Sequence, residues 1–119
     1  MNDQPSPSPR AALAEVAERV VAHMAGVALT RDAAGTWQTV AGDRSIQGVT
    51  AIARSDGRYD LTLHVVVAWP PEPLAELAGE LRRRVQAAVK RACLDGALGP
   101  VDINVVSVED PNPLAERGA

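Results

Sequence analysis

The chain has 119 residues, a net charge of −3, 46% hydrophobic residues and 23% charged residues. That is one domain of average globular composition, able to bury roughly two thirds of its unfolded surface, so wholesale disorder is excluded. The mildly acidic balance disfavours a general nucleic-acid coat; one cysteine with two histidines precludes an internal disulfide and makes a poor zinc set, so no metal or cofactor is expected.

Residues 1–10 carry Pro5, Pro7 and Pro9 with Ser6 and Ser8, and nothing apolar after Met1. Proline restricts both itself and the residue before it, so a disordered N-terminal arm is expected. The arm has no apolar signal core, which argues against secretion. The chain also has no apolar run of about 18 residues, which argues against direct membrane insertion. Residues 110–119, opening on Asp110, Pro111, Asn112 and Pro113, read as a C-terminal tail. A single domain is therefore expected over 11–109.

Residues 10–25 read as a helix. Leu13, Val16, Ala17, Val20, Val21 and Met24 recur on one face, and Gly26 is a natural C-terminal stop. A short extended piece follows at 27–29. Residues 30–47 are the least patterned interior stretch, punctuated by Asp32, Gly35, Gly42 and Asp43. They read as a mobile loop or a hairpin, with 36–40 as its candidate strand.

The clearest strand signal spans 48–55 and 59–69, joined by Asp56-Gly57, a pair suited to a hairpin turn. Tyr59, Leu61, Leu63, Val65, Val67 and Trp69 share one face; Asp60, Thr62, His64, Val66 and Ala68 share the other. Pro70, Pro71 and Pro73 then open a helix running to about Cys93. Leu74, Leu77, Ala78, Leu81, Val85, Ala88, Val89 and Ala92 form its apolar stripe. After a turn at 94–99, residues 101–108 make a last strand. The expected fold is a two-layer α+β sandwich, a mixed β-sheet with two helices packed on one face, in the order α-β-β-β-α-β.

These segments, in this order, resemble the alkaline-shock-protein family of bacterial envelope stress proteins over roughly residues 11–109. The landmarks are Val16-Ala17-Glu18-Arg19-Val20-Val21 closing on Gly26-Val27-Ala28-Leu29, then Gln47-Gly48-Val49 and the Asp56-Gly57 turn. They continue with Leu61-Thr62-Leu63-His64-Val65-Val66-Val67, then Leu74-Ala75-Glu76-Leu77-Ala78 and Arg84-Val85-Gln86-Ala87-Ala88-Val89. The closing strand is Val101-Asp102-Ile103-Asn104-Val105-Val106-Ser107-Val108. The resemblance implies a non-enzymatic cytoplasmic protein of envelope stress response or homeostasis. It implies self-association, and recruitment to the membrane by a separate anchor protein. It supplies no catalytic residues.

Two surfaces stand out from the residues themselves. If the helices cover the Leu61/Leu63/Val65 face, the other face carries Thr50, Ile52, Thr62, His64, Val66, Asn104, Val106 and Val108. That set is too apolar for a freely solvated sheet and too polar for a core, and it suits a homo-oligomer interface. The second surface is the basic side of the long helix, with Arg83, Lys90 and Arg91 as candidate contacts for a phosphate or an acidic partner. It is narrow: Arg82 and Arg84 flank the apolar stripe, Glu76 and Glu80 share the outward side, and Glu80 can pair with Arg84. With no Phe, one Tyr, two Trp and no Gly-x-x-Gly loop, a nucleic-acid partner is disfavoured, and weak nucleic-acid or acidic-ligand binding through this basic side stands as the second reading, behind association. There is no Gly-rich phosphate loop and no traceable Ser-His-Asp arrangement, so catalysis is not expected. Cys93 reads as an inert, partly buried thiol, and His23 and His64 as structural or surface residues.

Overall fold

The structure is a computed structural model that describes residues 8–31, 37–69 and 73–109. The arm up to residue 7, the tail from 110, and Pro70 and Pro71 lie outside the described residues. The first helix, α1 (Pro9–Ala22), starts inside the expected arm. Ser8 explains the start: its hydroxyl accepts the Ala11 N–H at 3.1 Å, and Pro9 sits where a missing N–H costs nothing. The helix stops at Ala22, earlier than the expected 25, with His23 as its C-cap; Gly26 turns the chain three residues after that cap at φ +77°.

Among the described residues there are six strands, two more than the expected order holds: β1 (Val27–Leu29), β2 (Gln38–Ala41), β3 (Arg44–Gln47), β4 (Val49–Ala53), β5 (Tyr59–Ala68) and β6 (Leu98–Glu109). The second helix, α2 (Leu74–Arg91), joins β5 to β6, with one 3-10 turn at Asp95–Ala97. The fold is α+β, and its order is α-β-β-β-β-β-α-β because the unpatterned stretch contributes two strands.

β5 organises the four-stranded sheet. One edge pairs in parallel with β6. The other edge is shared by two antiparallel strands placed end to end: β4 pairs residues 59–63, and β1 pairs residues 65–67. His64 stands at the junction. Its N–H donates to the Gly48 carbonyl at 2.7 Å, and its carbonyl accepts the Thr30 N–H at 2.8 Å. The two strands meet so closely that a Cβ on Gly48 would lie 2.8 Å from the Leu29 Cβ. Gly48 also has φ +84°, which only glycine adopts without strain.

The inward row Leu61, Leu63, Val65 and Val67 is fully buried. α1 covers it with Leu13, Ala14, Ala17 and Val21, and α2 covers it with Leu81, Val85 and Val89. Each such Leu or Val removed from water contributes about 1.5–3 kcal/mol. Leu74, expected in the α2 stripe, is exposed at the helix start.

Residues 38–47 form an ordered hairpin, not a mobile loop. Ile46 is fully buried in the core, and the Thr39 hydroxyl donates to the Val49 carbonyl at 2.7 Å. At the tip, Arg44 reaches Glu18 of α1 at 2.8 Å.

Candidate association surface

The sheet face opposite the helices has a polar centre. His64 lies on β5 between Thr50 of β4 and Asn104 of β6. The Asn104 amide donates to His64 Nδ1 at 2.9 Å, which leaves His64 Nε2–H to donate to the Thr50 hydroxyl at 3.2 Å. That pattern requires a neutral imidazole, and burial pushes the imidazole below its ordinary range.

Trp37 closes the centre. Its indole stacks on the His64 ring with centroids 4.6 Å apart and planes 4° apart, and its carbonyl accepts the Gly48 N–H at 2.7 Å. His64 is consequently only 7% exposed. The expectation that His64 is displayed for contact is corrected: it is a covered linker of three strands. Thr50 and Thr62 are half-buried beside it. Trp37 was missed in the sequence; its only signal is a large aromatic alone in a polar, glycine-punctuated stretch.

The remaining residues fall into two separate patches. Ile52, opposite Asp60 in the register, is 63% exposed at one end of the sheet. Val66, half-buried, and Val106, 39% exposed, lie towards the other end. Between Val65/Val105 and Val66/Ser107 the register shifts by one, leaving Val106 as the extra residue of a bulge. The expected simple alternation therefore breaks: Ser107 partners Val66, and Val108 partners Val67 of the helix-covered row. Val108 is still 37% exposed because it stands near the strand end, where Trp69 is also exposed.

β6 is an edge strand. It pairs with β5 alone, and among the described residues no strand occupies its other side. One acceptor on it is taken by α2, where Arg82 Nε donates to the Val101 carbonyl at 2.8 Å.

The expected basic contacts do not form one surface. Arg83 is tied to Glu80 at 2.9 Å, as is Arg84 at 2.8 Å, and the two guanidiniums hold the Glu80 carboxyl below the usual carboxylate range, Arg84 contributing most. Lys90 is exposed. Arg91 lines a groove between α1 and α2, with Arg19, His23 and Arg84. Cys93 is exposed, not partly buried, and terminates α2 at φ +60°. Among the described residues, no three His, Cys, Asp or Glu side chains gather as a metal set. No helix there is long and apolar enough to cross a membrane.

Compared with protein-family models, curated proteins and solved structures, the chain matches none.

Proposed function

We propose that this protein works by association rather than catalysis, assembling with copies of itself through the β6 edge and the neighbouring Val66, Val106 and Val108. The observation that carries this reading is the 12-residue edge strand, whose outer side is unpaired among the described residues, with exposed valines beside its bulge. An open edge offers backbone donors and acceptors to another strand, and apolar side chains next to it add buried area. The resemblance to alkaline-shock proteins supports a role in envelope stress response or homeostasis in the cytoplasm, with a membrane-anchored partner protein as the means of recruitment.

The test is solution mass by light scattering at low and high salt, with absorbance at 260 and 280 nm on the same peak. The expected result is an oligomer that survives high salt, carries no nucleic acid, and falls to lower mass in Val66→Lys and Val106→Lys. Apolar and backbone contacts resist salt, whereas phosphate contacts collapse with it. A monomer at all concentrations overturns the reading. So does co-eluting nucleic acid that salt strips away.

A further inference from the structure

We propose that the groove between α1 and α2 binds an acidic amphipathic helix from a partner protein. This site lies on the helix layer and is independent of the sheet-edge interface.

The two walls have the same spacing. α1 contributes Val16, Arg19, Val20 and His23; α2 contributes Arg84, Ala87, Ala88 and Arg91. Each set is i, i+3, i+4, i+7, one face of a helix over two turns, or about 10 Å of wall. The groove is open to solvent and has a volume of about 560 Å³. The floor is apolar, and the alanines on α2 let another backbone approach closely.

The ends of the groove are basic in a chain whose net charge is −3. Among the described residues Arg19 and Arg91 have no carboxylate partner, while Arg84 shares Glu80 with Arg83. Glu18, the neighbour of Arg19 in sequence, pairs with Arg44 on the hairpin at 2.8 Å. The Arg19 carbonyl accepts from His23 Nδ1–H at 2.8 Å, which fixes the ring at the groove mouth.

Charge complementarity selects the occupant. Arg84 and Arg91 stand about two turns apart, so they match carboxylates at i and i+7 of a third helix. Small apolar residues between those carboxylates would cover Val16, Val20, Ala87 and Ala88. This is recognition of a helix laid in a groove. A nucleic-acid backbone would leave the apolar floor wet and find few cations. A lipid surface is flat where this site is concave.

The probe is a fluorescein-labelled synthetic helix of Glu, Leu and Ala with Glu at i and i+7, titrated with the full chain and followed by anisotropy. The control replaces each Glu with Lys. The acidic peptide should bind, and the basic one should not. Arg19→Gln with Arg91→Gln should weaken binding at least about tenfold, a loss typical of removing charged partners at an interface. Ala87→Trp should block it by filling the groove. Arg83→Gln, which points away, should leave affinity within about twofold. None of these variants should change the oligomer mass, so this site and the sheet edge fail separately. Circular dichroism checks that each variant is folded; the substituted arginines are exposed. The proposal is overturned by equal binding of the two peptides or by full affinity in the double arginine variant. Stronger capture of phosphatidylglycerol vesicles or oligo(dT) than of the acidic peptide also overturns it.

Discussion

Trp37 lies flat on His64, with ring planes 4° apart, and so seals the one place where β1, β4 and β6 all converge on β5. The imidazole beneath serves both neighbours through its side chain, and its backbone serves Thr30 and Gly48. Trp37→Ala should therefore destabilise the fold by about 2 kcal/mol, from lost aromatic packing and a hydrated polar cluster. Urea unfolding measures the loss. The same variant should let His64 titrate nearer its ordinary range, followed by NMR of the ring proton. An unchanged titration would mean that Trp37 is not what keeps His64 dry.

His64 makes stability fall in mild acid. Burial lowers its folded pKa, so the unfolded chain takes up that proton first. By linkage, the contribution is complete above about pH 6.5, the unfolded value, and is lost as pH falls through the folded value. Asp56 and Glu80 are also held below the carboxylate range, Asp56 chiefly by the Arg58 N–H, and they act in the same direction only below about pH 4.5. Urea midpoints of the wild type should decline between neutral pH and about pH 5. His64→Gln should flatten that segment, and parallel profiles would contradict it.

Two glycines separate conformation from crowding. Gly57 has φ +85° with nothing near its missing side chain, while Gly48 has φ +84° and Leu29 and Thr30 against it. Gly57→Ala should cost about 1 kcal/mol, the left-handed penalty alone. Gly48→Ala should cost about 3 kcal/mol, because the β1 and β4 ends must also move apart. Equal losses in chemical denaturation would show that the junction yields freely.

Cys93 occupies the position at which glycine commonly ends a helix. Its N–H donates to the Lys90 carbonyl, and the Leu94 N–H donates to the Val89 carbonyl, each at 3.0 Å, while its φ is +60°. Cys93→Gly should stabilise the protein by about 1 kcal/mol by relieving that backbone strain, and should raise Tm. Cys93→Ser keeps the strain and should show no such gain.

Ser8 caps the N-terminus of α1. Ser8→Ala should cost about 1 kcal/mol through loss of the cap on Ala11, whereas Ser8→Asp, which keeps an acceptor there, should leave thermal stability nearly unchanged.

The elements with strong local period were legible from the chain alone. The alternation from Tyr59 to Ala68, the Asp56-Gly57 turn and the stripe Leu81, Val85 and Val89 each specify their own direction towards a core. The β2–β3 hairpin was harder to read because its inward positions include Thr39, a polar residue buried only because the Val49 carbonyl accepts its hydroxyl. Periodicity says which way a side chain points, not what meets it. Trp37 on His64, β1 and β4 sharing one edge of β5, and Arg19 facing Arg84 and Arg91 across a groove all join residues distant in sequence. The bulge at Val106 likewise arises from pairing with β5, and one extra residue there re-aims Val108, which strict alternation had placed on the open face. Local chemistry thus determined the helices and the strongly periodic strands of this protein. Tertiary packing decided which polar groups are sealed, which edge stays open and where the positive charge collects, because those depend on partners that only folding brings within reach.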